Sequence, residues 1–178
     1  MAKKITIMTG SVREGRAADK ILTQVKAIAA NNDLDVTIAD LKELNLPFVD
    51  TPVPPSAEGY EPNHESVKKW GKIVEGSEAI IMLTPEYNHA ITAVQKNAID
   101  WLFAEWNEKP VAIISYGWGG GADSAAQLAE LLERVKARRI EPTAQLYFTK
   151  DIDLDGTALD YSAFEEKISP VIEAAKSA

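Results

Sequence analysis

The sequence predicts an α/β fold: a doubly wound, five-stranded parallel sheet of order 2-1-3-4-5 with helices on both faces. Three observations carry this. The runs Ala79–Leu83 and Val111–Ile114 are continuously apolar, as strands covered on both faces must be. Strand-like runs alternate with segments whose apolar residues recur at helical spacing, the pattern of a parallel sheet with crossover helices. The first two strands begin about 30 residues apart, the repeat of a β-α-β unit. Right-handed crossovers leave few topologies, and in such sheets ligands bind at the carboxyl ends of the strands, where connections diverge. Residues 1–178 read as one domain.

The elements follow in order. Ile5-Thr6-Ile7-Met8 is a short strand ending at Gly10. Ile21, Leu22, Val25, Ile28 and Ala29 stripe a helix that Asn31-Asn32-Asp33 stops. Asp35–Ala39 is a second strand. Residues 47–62 hold five of the nine prolines and predict a long surface loop of the kind that often serves function. Val67, Trp70, Ile73 and Val74 mark the next helix, and Pro85 ends the strand that follows it. Ile91, Val94, Ala98, Ile99 and Leu102 share one helical face. After the fourth strand and a glycine cluster, Ala125, Leu128, Leu131, Leu132 and Val135 stripe another helix. Ile140 to Phe148 reads as the last strand, and Phe164, Ile168, Val171 and Ile172 as the closing helix.

Composition removes several function classes. Apolar residues make up 46% and charged residues 26%, ordinary for a globular chain. The formal net charge of −8 argues against nucleic acid or an anionic membrane surface as partner. Cysteine is absent, which excludes disulfides, thiolate metal sites and cysteine nucleophiles. His64 and His89 are the sole imidazoles, too few for a histidine-rich metal centre. The apolar run at the N-terminus is shorter than a secretory h-region, and no stretch reaches the roughly 18 apolar residues of a membrane span, so the expected location is cytoplasmic.

Three unusual loops follow strands one, three and four. The first, Gly10-Ser11-Val12-Arg13-Glu14-Gly15-Arg16-Ala17-Ala18, leads into a helix. Free N–H groups at a helix start favour an anion, Ser11 adds a hydroxyl, and Arg13 and Arg16 add guanidinium forks. Two arginines there oppose the helix dipole unless an anion balances them; the alternative is a solvated turn. The glycine spacing resembles a P-loop, but Arg16-Ala17 stands where Lys and then Ser or Thr belong, so the magnesium hydroxyl is missing. The second loop is Thr84-Pro85-Glu86-Tyr87-Asn88-His89. Tyr87 offers an aromatic face and Asn88 a donor and an acceptor, which suit a planar heterocycle, although a packed Tyr and an Asn helix cap would read the same. The third, Ser115-Tyr116-Gly117-Trp118-Gly119-Gly120-Gly121, allows close backbone approach between two aromatics. An anion end and an aromatic-and-amide end along one edge match a phosphate joined to a flat ring, the shape of flavin mononucleotide (FMN).

With these pieces the chain resembles the NADPH-dependent FMN reductase family, a flavodoxin-like group that includes chromate, quinone and azo-dye reductases. The resemblance rests on Gly10-Ser11-x-Arg13, on Pro85-Glu86-Tyr87-Asn88 followed by Lys96-Asn97-Ala98-Ile99-Asp100-Trp101, and on Ser115-Tyr116-Gly117, in the same order over nearly the whole chain. It implies that Ser11, Arg13, Arg16, Ala17 and Ala18 hold the FMN phosphate. Many members carry Ser or Asn where Ala17 and Ala18 stand, so those side-chain donors are lost here. It implies that Pro85, Glu86, Tyr87 and Asn88 line the ring and ribityl chain, and that Ser115, Tyr116 and Gly117 follow the ring's polar edge with Trp118 close by. It implies a homodimer or homotetramer, and it tilts Trp101 and Trp106, which could equally be core, toward a subunit contact.

The activity implied is an NAD(P)H:acceptor oxidoreductase. NADPH, or NADH, delivers hydride to the flavin N5 and leaves. A quinone, free flavin, azo dye or metal oxyanion then takes its place in a ping-pong cycle. No side chain need act as acid or base, because the cofactor carries the chemistry; His89 is either a proton donor to a reduced acceptor or a solvated histidine. Two other readings are a flavodoxin-type electron carrier and a redox-sensing flavin module, neither turning over nicotinamide itself. A flavodoxin phosphate loop is rich in Ser and Thr, whereas this one is rich in Arg. Asp151-Ile152-Asp153-Leu154-Asp155-Gly156 opens like a calcium loop, but Ser162 stands where the bidentate Glu belongs, so it reads as an acidic turn. Ser11, His89 and Asp100 lack the nucleophile elbow of a hydrolase.

Overall fold

The computed structural model describes residues 2–178. In chain order the elements are β1 (Lys3–Thr9), α1 (Ala18–Asn31), β2 (Leu34–Asp40), a one-turn α2 (Leu41–Leu44), α3 (Glu65–Glu75), β3 (Ala79–Pro85), α4 (Ala93–Asp100), β4 (Pro110–Gly117), α5 (Ala122–Arg134), β5 (Arg138–Arg139), β6 (Ala144–Tyr147) and α6 (Tyr161–Ser177). The sheet is entirely parallel with order β2-β1-β3-β4-β5, as the alternating pattern predicts, and β6 also pairs with β4. The run expected as one last strand is thus two short ones. Pro142 lies between them and has no N–H to give a ladder, so pairing with β4 stops after Arg139 and resumes at Ala144.

Strand alternation divides the core into two layers. Ile5, Ile7, Ile81, Leu83 and Ile114 face Ile21, Val25 and Ile28 of α1 and Phe164, Ile168 and Ile172 of α6. Met8, Ile80, Met82 and Ile113 face Val67 and Trp70 of α3, Ala98 and Ile99 of α4, and Leu128 and Leu132 of α5. Burying each such side chain is worth about 1.5–3 kcal/mol against exposure. The two layers clamp the sheet and hold its carboxyl edge rigid.

Trp101 and Trp106 are core, not subunit contact. Both are 0% exposed within one chain. The Trp101 indole N–H donates to the Pro47 carbonyl at 2.6 Å and that of Trp106 to the Ile99 carbonyl at 3.1 Å. The Trp106 ring also packs against Trp70, 5.9 Å between centroids. The short α4 explains this: it ends at Asp100, so Trp101 caps it and Trp106 closes the 3-10 turn Ala104–Trp106 that follows, where its ring reaches Trp70 of α3. The long loop over 47–62 is tied to this corner, where the Tyr60 hydroxyl donates to the Trp101 carbonyl at 2.9 Å.

Candidate functional site

The carboxyl ends of β1, β3 and β4 open onto a cavity of about 570 Å³, within the range of small-molecule sites. The first loop leaves β1 through Gly10, whose N–H donates to the Leu83 carbonyl at 2.9 Å and whose carbonyl accepts from the Thr92 hydroxyl at 2.6 Å. A Cβ at Gly10 would lie 2.6 Å from the Gln95 Oε1 and 3.1 Å from Pro85 Cδ, so any larger residue requires the buried Gln95 side chain to shift. From Ser11 to Ala18 the N–H groups donate to no backbone group among the described residues. Ser11, Ala17 and Ala18 are buried, and Ala17, the α1 N-cap, offers no side-chain cap. Unpaired N–H groups at a buried helix start fit an anion from outside the chain. The backbone thus supplies the donors that the Ala17 and Ala18 side chains lack.

The second loop is a two-residue reversal. Tyr87 and Ala90 exchange backbone hydrogen bonds at 2.9 and 3.1 Å, with Asn88 and His89 at φ 51° and 60° between them. That turn needs positive φ at both central residues, which Asn and His tolerate better than most. It leaves Asn88 and His89 exposed. The cap of α4 is Thr92, whose hydroxyl accepts from the Gln95 N–H at 3.2 Å, not Asn88. The third loop turns on its glycines, with the Ser115 hydroxyl donating to the Gly120 carbonyl at 2.7 Å.

Side chains tie the three loops together. Ser11 and Tyr87 share a hydroxyl hydrogen bond of 2.9 Å. The Glu86 carboxylate accepts from the Asp123 N–H at 2.9 Å, so it caps α5. The His89 Nδ1–H donates to the Asp123 carboxylate at 2.6 Å, and that bond together with the nearby Glu86 charge raises the imidazole pKa. Burial pushes the Tyr116 phenol well up, keeping it neutral. Arg16 is bonded within the protein: to Asp40 through both terminal nitrogens, to the Ser11 carbonyl, and through Nε to Asp19 at 2.8 Å. Its side chain is 7% exposed.

Of the residues read from the sequence, Ser11, Arg13, Arg16, Ala17, Pro85, Glu86, Tyr87, Asn88, Tyr116, Gly117 and Trp118 line the cavity. Ala18 and Ser115 do not line it; both are buried behind it. Asp123, Phe148 and Leu154 also line it and were not foreseen. The Phe148 ring packs edge-on against Tyr116 and Trp118, at 6.2 and 5.7 Å between centroids, completing an apolar wall. Phe148 ends the last strand run, and a ligand edge includes every strand end, so that signal was present. Leu154, an exposed Leu in an acidic turn, was the other available sign.

Known proteins match this chain over most of its length. The family model described as NADPH-dependent FMN reductase matches residues 3–150. An NAD(P)H-dependent FMN reductase of a Nectria species is 34% identical over 97% of this chain and 89% of its own. An NAD(P)H:quinone oxidoreductase of Solanum tuberosum is 30% identical over 72% of this chain and 66% of its own. Among solved structures, the flavoenzyme NAD(P)H:(acceptor) oxidoreductase FerB of Paracoccus denitrificans superposes with a TM-score of 0.73 at 24% identity, covering 98% of this chain and 99% of that one, which shows the shared fold. The chain belongs to the NADPH-dependent FMN reductase family.

Proposed function

We propose that this chain, as one FMN-binding domain, reduces a small planar acceptor such as a quinone with electrons from NADPH or NADH, in a ping-pong cycle at the cavity of the three loops. Family membership makes it an FMN-dependent NAD(P)H oxidoreductase. The observation that supports the finer reading is the joining of two unlike surfaces in one cavity: unpaired N–H groups beside Arg13 at one end, and Tyr87, Tyr116, Trp118 and Phe148 at the other.

FMN, when bound, supplies the hydride-carrying chemistry. The chain's own groups bind and orient. Ser11, Arg13 and the N–H groups up to Ala18 hold the phosphate, with Arg16 beneath them. Pro85, Glu86, Tyr87 and Asn88 line the ring and ribityl chain. The backbone of Tyr116 and Gly117, with Ser115 buried behind them, would follow the ring's polar edge, and Trp118, which is 70% exposed, borders the entrance. The aromatic wall excludes water from one side and favours a flat acceptor. The buried Tyr116 phenol is held neutral and the Glu86 carboxylate is engaged at the start of α5, so neither is free to act as a base. Free flavin, azo dyes and metal oxyanions are further acceptors to assay. We also propose a homodimer or homotetramer in the cytoplasm; among the described residues no helix is long and apolar enough to cross a membrane.

The test is direct. The purified protein should be yellow, release FMN on denaturation, and oxidise NADPH in steady state when a quinone is present. Reduction only through a separate protein reductase would replace this reading with an electron carrier. Flavin binding with no nicotinamide turnover by either route would replace it with a sensor.

A further inference from the structure

We infer that Arg16 is a positioning residue: it braces the phosphate loop from beneath through a partly buried ion pair with Asp40, and Arg13 alone supplies the guanidinium that meets the phosphate. The inference rests on the FMN reading above and assigns different work to two arginines that the sequence treats alike.

The donor count comes first. A guanidinium has five N–H donors. In Arg16 the Nε–H goes to Asp19 at 2.8 Å, the two Nη1–H to Asp40 at 2.9 Å and to the Ser11 carbonyl, and one Nη2–H to the other Asp40 oxygen. One donor is left. Charge gives the same answer. One guanidinium meets two carboxylates, so the node is net negative and does not draw in an anion. Arg13 is exposed, lines the cavity and forms no ion pair among the described residues.

The node then has a mechanical role. Asp40 ends β2 and caps α2 by accepting from the Lys42 N–H at 2.9 Å; it also accepts from the Thr9 hydroxyl at 3.3 Å, at the end of β1. Burial alone would raise the Asp40 pKa, but Arg16 and the Lys42 N–H outweigh it and hold the carboxyl below its usual range. Arg16 therefore fastens the loop to two strand ends. Its bond to the Ser11 carbonyl fixes the plane of the Ser11–Val12 peptide, because a trans peptide ties the C=O direction to that of the next N–H. Ser11 in turn meets Tyr87, so the brace sets both the anion end and the junction with the ring end.

The deciding variant is Asp40→Asn. Asn caps a helix as well as Asp does, so α2 keeps its cap while the ion pair is lost. If Arg16 met the phosphate directly, freeing it would leave FMN affinity unchanged or tighter. Bracing predicts a rise of about tenfold in the FMN Kd, matching Arg16→Ala, with Arg16→Ala/Asp40→Asn no worse than the weaker single variant. Arg16→Lys separates the two readings again. Lys serves as a point charge on a phosphate but cannot make the bidentate fork, so bracing predicts no rescue. Amide hydrogen exchange of the apoprotein reads the brace without flavin: the hydrogen-bonded amides that flank the loop, Gly10, Asp19 and Ile21, should exchange faster in both single variants. Tight FMN binding in Asp40→Asn with unchanged exchange would overturn the inference. A wild-type protein that ignores FMN would overturn the functional reading instead, while the exchange experiment would still decide the brace.

Discussion

Gly156 sits in the acidic turn before α6, far in sequence from the phosphate loop, yet a methyl group there should damage that loop. Its φ is +91°, and a Cβ would lie 2.1 Å from the Ala17 carbonyl oxygen and 2.8 Å from the carbonyl carbon. Ordinary contact begins near 3.4 Å, so the two backbones must part by about 1 Å. Positive φ in a non-glycine residue costs about 1–3 kcal/mol, and forced repacking adds a similar amount. Gly156→Ala should therefore lose roughly 2–6 kcal/mol, and in a chain of this size the melting temperature should fall by roughly 4–24 °C. Ala17 is the N-cap of α1, and its carbonyl accepts from the Ile21 N–H at 3.1 Å. Displacing it moves the N–H groups proposed to hold the phosphate, so FMN affinity should fall too. Circular dichroism melts and flavin fluorescence titration measure both. Gly71→Ala, in α3 and outside the cavity, is the control, since a Cβ there meets only ordinary contacts, none closer than 3.6 Å. A Gly156→Ala protein that melts with the wild type and binds FMN equally would refute the reasoning.

Three further outcomes are expected. Arg13→Ala should raise the FMN Kd about 10- to 100-fold, the size of one charge-assisted hydrogen bond, and leave riboflavin, which lacks the phosphate, unaffected in fluorescence titration. His89 should titrate above its ordinary value by NMR, and Asp123→Asn should bring it back, because the Asp123 hydrogen bond is the largest cause of the rise. The sign follows from linkage: folding favours protonated His89, so its stabilisation is complete below the unfolded pKa of about 6.5 and is lost as pH rises through the higher folded value. Trp118→Ala should change stability by no more than about 0.5 kcal/mol, since the ring is exposed. It should raise the KM for a quinone several-fold with little change in the FMN Kd; an unchanged KM would remove Trp118 from the acceptor path.

The sheet order was legible because burial on both faces writes itself as unbroken apolar runs, and Ile80 to Leu83 cannot be anything but central. The loops were legible because glycines, arginines and aromatics concentrate where strands end. Partnership was not legible. Nothing in Arg13-Glu14-Gly15-Arg16 tells which guanidinium is occupied, since the deciding carboxylate, Asp40, is 24 residues away and is brought in by the pairing of Thr9 with Asp40 across β1 and β2. Trp101 and Trp106 misled for a related reason. Indole enrichment at interfaces is a statement about surfaces, and whether a residue reaches the surface depends on where α4 stops. Glu86 was legible as a residue of the site, but its role as the cap of α5 was not, because the Asp123 N–H it accepts from lies 37 residues away.

Charge placement explains how a chain with a net charge of −8 can hold anionic ligands. Both carboxylates that line the cavity are already committed, Glu86 to the N–H groups that open α5 and Asp123 to His89. Asp19 and Asp40, which flank the phosphate loop, are committed to Arg16, and Glu14, within the loop, is exposed and does not line the cavity. What faces the cavity without an internal partner among the described residues is the opposite sign: the guanidinium of Arg13 and the N–H groups of the loop around it. Exposed acids elsewhere act across solvent, where physiological salt screens them beyond about 8 Å. The local field at the loop is thus set by which groups are already paired, not by the overall count. An ion pair partly buried under the loop serves this arrangement better than a second free arginine would. A free guanidinium would strengthen the attraction but leave the peptide planes unfixed, whereas the braced one withdraws two acids from the site and holds the donors in register.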